Sequence, residues 1–111
     1  MTILHDNGEA RAQAVARIVA QARDCAVGKS PAYARIAAGI AQTLDADLSF
    51  SDRYRASLGV RRAVLTLKLR GGEEDEDDTE RMFKLMRFAE FEFERDLNLL
   101  EAEANEWLSG G

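Results

Sequence analysis

The chain has 111 residues, a formal net charge of −5 and 46% hydrophobic residues, which is enough for one domain with a single core. Its only cysteine, Cys25, excludes an intrachain disulfide. The first residues lack a secretory signal, and no apolar run approaches the roughly 20 residues that a membrane span requires. We therefore expect a cytoplasmic protein without a membrane partner. The presence of 12 Arg and only 3 Lys indicates a bacterial or phage source.

Two helices are predicted in the first part of the chain. Residues 6–9 have the pattern of a capping box, and a helix is expected to follow to about residue 27, where Gly28 ends it. Ser30 followed by Pro31 is typical of a second helix start, and this helix should end near residue 44. Apolar residues at every third or fourth position define one stripe on each helix: Val15, Ile18, Val19, Ala22, Cys25 and Ala26 on the first, and Tyr33, Ile36, Ala37, Ile40, Ala41 and Leu44 on the second.

The third segment, from Ser51 or Asp52 to Arg70, fits two descriptions. As a helix it has two opposed apolar faces, Leu58, Leu65 and Leu69 on one and Val60, Val64 and Leu67 on the other. Residues 63–69 also show the alternation of a strand. A helix is favoured, because the sequence contains no second convincing strand with which such a strand would pair.

The rest of the chain is acidic. Residues 1–70 carry 11 basic and 6 acidic residues, whereas residues 71–111 carry 4 and 14. Seven acidic residues lie between Glu73 and Glu80, so residues 71–78 are expected to form a solvated, mobile linker. A final helix should begin near Asp78 or Thr79 and run to about Leu108, a length of about 45 Å. Its apolar seam comprises Met82, Leu85, Met86, Ala89, Phe93, Leu97, Leu100, Ala104 and Trp107, and a second face carries Phe88 and Phe91 with Leu99 nearby.

These elements predict an all-α fold in which three shorter helices pack on one long C-terminal helix, within a single helical domain of residues 1–111. Helices of about 20 to 30 Å cannot cover a helix of about 45 Å from end to end. Either the last helix breaks, or its C-terminal half projects from the bundle. Its apolar surface should then need a partner, because large exposed apolar patches mark interaction sites.

No pattern in the sequence indicates catalysis, a cofactor or a metal ion. His5 is the only histidine, which leaves no ligand set for zinc and no base for a nucleophile. Residues 27–30 end like a phosphate-binding loop, but Arg23 stands where that motif needs its first glycine. The glutamates of the last helix lack the histidines of di-iron sites, and the acidic run lacks the glycine of a calcium loop. We therefore expect a protein that is not an enzyme.

The sequence favours a non-enzymatic protein-interaction protein, such as an adaptor, an accessory subunit or an inhibitor, acting through an apolar and acidic C-terminal helix. Apolar side chains would make the contacts, and carboxylates would steer a basic partner. The partner is expected to be a protein, or a second copy in a homodimer with antiparallel long helices. The candidate partner-binding residues are Phe88, Phe91, Leu97, Leu100, Trp107, Glu73, Glu74, Asp75, Glu76, Asp77 and Asp78.

Two alternatives involve nucleic acid. The first is a regulator that contacts phosphates through a basic segment, residues 53–70, with the bases Arg53, Arg55, Arg61, Arg62, Lys68 and Arg70. The second is an inhibitor whose closely spaced carboxylates imitate a phosphate backbone. The acidic net charge weakens the first alternative, and the simpler interpretation is a solvated helix face whose arginines pair with the acidic half of the same molecule.

Overall fold

The structure is a computed structural model that describes residues 3–70 and 76–110. Over these ranges it contains four α-helices and no strand: α1 (Ile3–Ala26), α2 (Pro31–Thr43), α3 (Phe50–Arg70) and α4 (Glu76–Gly110). The three shorter helices all contact α4, and α2 also packs against both α1 and α3. The predicted all-α arrangement is confirmed. None of these four helices combines the length and the apolarity that crossing a bilayer demands.

Local signals explain how α1 passes into α2. Gly28 adopts a left-handed φ of 73°, which reverses the chain after α1 at little steric cost. Pro31 stands at the first position of α2, where its missing N–H would have had no helical partner in any case. The start of α1 differs from the prediction, because the helix begins at Ile3 and the 6–9 pattern lies inside it. Residues 3–5 contain no Gly or Pro that would prevent this extra turn.

The whole of α3 is helical, including residues 63–69. Its two apolar faces have different surroundings. Val60, Val64 and Leu67 are at most 4% exposed, whereas Leu58, Leu65 and Leu69 on the opposite side are 46%, 41% and 88% exposed. The apparent strand alternation therefore arises because both sides of one helix carry apolar residues.

The core is formed by the stripes that the sequence predicts on α1 and α2, together with the inner faces of α3 and α4. Tyr33 is fully buried, and its hydroxyl lies 3.0 Å from Oγ1 of Thr79, which satisfies its polar end. The buried thiol of Cys25 donates to the carbonyl oxygen of Asp78 at 3.7 Å. These contacts join the end of α1 and the start of α2 to the beginning of α4.

Helices α2 and α3 approach each other closely at Gly39. A Cβ atom at this position would lie 2.5 Å from Cγ2 of Val60. Val60 is 4% exposed and β-branched, so its side chain has little freedom to move away. The glycine therefore permits the close contact.

The C-terminal helix α4 has 35 residues, which gives it a length of about 52 Å. It begins at Glu76, before the predicted start, so residues 76–78 belong to the helix rather than to a linker. Acidic side chains are favourable in the first turn of a helix, and this explains the earlier start. The remainder of the predicted linker, residues 71–75, lies outside the described residues.

We expect Gly39→Ala to lower the free energy of unfolding by about 1–3 kcal/mol, because the added methyl group overlaps Val60. The matched control is Gly59→Ala. A Cβ at Gly59 meets nothing within 4 Å, so this change inside α3 should add about 0.5–1 kcal/mol. Chemical denaturation measures both effects, and equal values for the two variants would contradict the packing described for Gly39.

Candidate protein interface

The apolar seam of α4 is covered along only part of its length. Met82, Met86 and Ala89 are at most 2% exposed, and Phe93 is the last buried member of the seam at 7%. Every residue from Asn98 to Gly110 is exposed. We call residues 97–110 the arm, which extends α4 by about 21 Å.

The arm continues the seam on the same face of the helix. Leu97, Leu100, Ala104 and Trp107 follow the buried seam at alternating spacings of three and four, as the a and d positions of a coiled coil do. Leu97 is half-buried, and exposure rises to 44% at Leu100 and 79% at Trp107. Leu108, which is 70% exposed, widens the face. An apolar helix face is thus presented to solvent beyond the bundle.

A buried arginine fixes α4 at the base of the arm. Arg53 of α3 is 3% exposed, and it donates from Nε to the carbonyl oxygen of Thr43 at 2.8 Å and from Nη2 to Oδ2 of Asp96 at 2.8 Å. Its guanidinium carbon lies 5.4 Å from the ring centre of Phe50 and 5.3 Å from that of Phe93, within the range of cation–π attraction. One side chain therefore joins α3, the end of α2 and α4 where the seam becomes exposed.

A second arginine reaches Asp96 from α1. Arg11 donates from Nε to Oε2 of Glu92 at 2.8 Å and forms an ion pair with Asp96. Burial raises the pKa of Asp96, but hydrogen bonds from Arg11 and Arg53 lower it by more, so the pKa lies below its ordinary value. The hydrogen bond to Asp96 in turn raises the pKa of Arg11. Asp96 is thus an ionised carboxylate shared by α1 and α3.

The two predicted phenylalanines lie on a different side of α4. Phe88 is 39% exposed and Phe91 is 63% exposed, and helical geometry places both away from the seam. Phe91 lines a groove of about 370 Å³ between α3 and α4, together with Tyr54 and Leu97. The two surfaces meet at Leu97, whereas Trp107 lies on the arm alone.

The outer face of α3 is a further apolar surface, and the predicted partner-binding set omits it. Tyr54, Leu58, Leu65 and Leu69 are between 41% and 88% exposed on this side of the molecule. Leu58 lines the same groove as Phe91. The signal that identifies this face is present in the sequence, since the second apolar face of α3 exceeds what one core needs.

The predicted acidic site residues lie at the opposite end of α4 from the arm. Glu76 and Asp77 are exposed in the first turn, and Asp78 forms an ion pair with Lys29. About 44 Å of helix separates Asp78 from Trp107. Glu73, Glu74 and Asp75 lie outside the described residues. The structure therefore does not bring the described acidic members of the predicted site together with Leu100 and Trp107.

The basic segment 53–70 is partly engaged within the molecule. Arg53 is buried, Arg61 makes two hydrogen bonds of 2.9 Å to Glu90, and Lys68 lies 3.7 Å from Glu80. The other three bases of the segment are exposed: Arg55, Arg62 and Arg70. Half of the predicted phosphate contacts thus face carboxylates of the same chain.

Other kinds of site receive no support from the described part of the chain. Within residues 3–70 and 76–110, no group of three or more His, Cys, Asp or Glu is arranged to hold a metal ion. Comparison of the chain with protein-family models, with curated proteins and with solved structures found no match.

We expect Asp96→Asn to lower the free energy of unfolding by about 2 kcal/mol at neutral pH, because the buried Arg53 loses its anionic partner. The pH dependence has a definite sign. Since folding lowers the pKa of Asp96, its contribution is complete above the unfolded value of about 3.9 and is lost as the pH falls towards the folded value. Urea titrations below about pH 4 should therefore show a smaller loss in the variant than in the wild type. Glu106→Gln, an exposed carboxylate on the arm, is the control and should change neither quantity.

Proposed function

We propose that this protein is a non-enzymatic protein-interaction protein whose arm packs against a helix of another chain. An adaptor, an accessory subunit and an inhibitor would each use such a contact. One observation carries the proposal: the seam that joins α4 to the bundle continues, exposed, beyond the last residue that the bundle covers. A face with coiled-coil spacing is suited to one type of neighbour, a second helix.

The physical properties of the arm support a binding role. Burying a Leu or aromatic side chain that is exposed in the unbound protein contributes about 1.5–3 kcal/mol. Trp107 is a typical interface anchor, because tryptophan is enriched among the residues that dominate binding energy. The arm is continuous with α4, and the contacts of Arg53 and Arg11 with Asp96 hold the helix at its base. A helix that is already formed loses less conformational entropy on binding than a segment that must first fold.

The charge of the arm favours a protein partner over a nucleic acid. Residues 97–110 contain three acidic residues and no basic ones, so phosphate groups would be repelled. The basic segment of α3 offers a weaker phosphate site than its composition suggests, since Arg53, Arg61 and Lys68 contact groups of the same chain. Mimicry of a phosphate backbone by residues 73–78 has little support, because Asp78 is paired with Lys29.

An interface role and a core role for the seam predict different effects of substitution. We expect Trp107→Ala to change the free energy of unfolding by less than about 0.5 kcal/mol, because the side chain is 79% exposed. Phe93→Ala, at the last buried position of the same seam, should cost about 3 kcal/mol or more. Thermal or chemical denaturation of the two variants measures the difference. A large loss of stability for Trp107→Ala would show that the arm belongs to the core and would remove the basis of the proposal.

Site-specific photo-crosslinking tests for the partner directly. A photoreactive amino acid placed at Ala104, on the seam, should crosslink to one discrete protein in cells that express the protein naturally. The same group at Ala102 is a matched control, because both alanines are exposed on the arm and lie on opposite faces. Adding Leu100→Ser to the Ala104 probe should abolish the product, since the change leaves a polar group in the seam.

Equal crosslinking from Ala102 and Ala104, or a product that survives Leu100→Ser, would show that the contacts of the arm are not specific to the seam. Salt-sensitive binding of the full chain to DNA or RNA in a filter assay, lost on mutation of Arg55 and Arg62, would instead favour the nucleic-acid alternative.

A further inference from the structure

We propose, on the basis of the function proposed above, that the arm binds a helix of a different protein that carries Lys or Arg on both sides of its apolar seam. A second copy of this chain is the occupant that the arm excludes. The reason lies in the charges that border the apolar face.

Both borders of the apolar face are acidic. Glu101 follows Leu100 on one side, and Glu103 precedes Ala104 on the other, so they occupy the two kinds of position that flank the seam of a coiled coil. Both are exposed, and no ion pair in the described part of the chain involves either. Basic side chains on a partner helix would lie opposite these carboxylates, whereas acidic ones would be repelled.

The same borders work against a second copy. In an antiparallel pair of arms, flanking positions of the same kind face each other, so Glu101 and Glu103 would lie opposite carboxylates of the other copy. A parallel pair would place no basic residue of the arm opposite either glutamate. The seam is also short for self-pairing. It spans two heptads, one of its core positions is Ala104, and stable coiled coils usually need three or four heptads. A partner must therefore contribute attraction that this chain does not offer to itself.

The surroundings of the arm extend the acidic field. The turn between α2 and α3 carries Asp45 and Asp47, both exposed. The hydrogen bond from Arg53 to Thr43 and the ion pair from Arg53 to Asp96 hold this turn near the base of the arm. A partner helix that lies along the arm thus meets negative charge on both flanks and at its inner end. Such a field would speed encounter with a basic helix, most of all at low ionic strength.

The shape of the apolar face adds a steric requirement. Ala104 lies between Leu100 and Trp107 along the seam, and its small side chain leaves a depression between two larger ones. A Leu or aromatic side chain of the partner fits a depression of this kind. The exposed length of about 21 Å sets the contact at about four helical turns. The partner is accordingly an amphipathic helix with at least one bulky apolar residue and basic flanks.

The 111-residue chain contains a fluorescent reporter, since Trp107 is the one tryptophan in its sequence and is 79% exposed. Two synthetic helical peptides of about three heptads, with Leu at every a and d position, serve as probes. One has Lys at every flanking position and the other has Glu. The Lys peptide should shift the Trp107 emission to shorter wavelength with one-to-one saturation, and it should bind at least about tenfold more tightly than the Glu peptide. A third peptide with the Lys residues retained and the Leu positions scrambled should give no emission shift.

A charge-swapped variant of the 111-residue chain tests the same point with the same peptides. Glu101→Lys combined with Glu103→Lys should reverse the preference, so that the Glu peptide binds more tightly. Glu106→Lys is the control, because Glu106 is also exposed on the arm but does not border the seam. It should leave the preference for the Lys peptide in place. All three positions are exposed, so these variants should keep the wild-type fold.

The possible outcomes separate this inference from the proposed function. Equal affinity for the Lys and Glu peptides, or no change of preference on charge swapping, overturns the inference. So does a dimer of the unmodified chain in which Trp107 emission shifts with protein concentration, although the arm would still be a protein interface in that case. The proposed function fails separately, when the crosslinking probes at Ala104 and Ala102 behave alike.

Discussion

A single straight helix that is longer than its companions determines how this molecule is built. Helix α4 measures about 52 Å, whereas α1, α3 and α2 measure about 36, 32 and 20 Å. The apolar seam that supplies the core up to Phe93 continues beyond it at the same spacing, through Leu97, Leu100, Ala104 and Trp107. The buried and exposed parts of the seam therefore have the same side-chain chemistry, and they differ only in whether other helices lie against them.

The polar contacts around Asp96 mark the boundary between these two parts. A buried ion pair contributes little net stability, since desolvation of the charges offsets much of their attraction. Here the main effect of these ion pairs is to fix the positions of the helices relative to one another. Arg53 holds the end of α2 and α4 together, and Arg11 adds α1 through Glu92 and Asp96. An apolar residue at position 96 would lose both of these links. The carboxylate thus fixes the direction in which the arm leaves the bundle.

Sequence periodicity was sufficient for the main features of the fold. The stripes of α1 and α2 and the excess length of α4 follow from the spacing of apolar residues, whereas the helical form of α3 follows from the lack of a second strand for it to pair with. The structure confirms all of these features. Helix starts were less predictable, because α1 begins before the capping pattern of residues 6–9 and α4 begins inside the acidic run that was expected to be a linker. The burial of Arg53 could not be predicted from the sequence. An arginine in a basic stretch gives no local sign that it will pack against Phe50 and Phe93. The predicted partner-binding set also combined acidic and apolar residues that are far apart. Asp78 and Trp107 belong to one helix but lie at its opposite ends.

The uneven distribution of charge along the sequence acquires a structural explanation. Five ion-paired bases from residues 1–70 meet carboxylates of α4: Arg11, Lys29, Arg53, Arg61 and Lys68. All their acidic partners lie between Asp78 and Asp96, which is the part of α4 that the bundle covers. Within residues 3–70 and 76–110, no ion pair reaches the carboxylates of the arm. Folding therefore neutralises the acidic half of the chain where it is packed, and it leaves negative charge concentrated beside the exposed apolar seam. Apolar surface and uncompensated charge coincide on one segment, and a basic amphipathic helix is the partner that satisfies both.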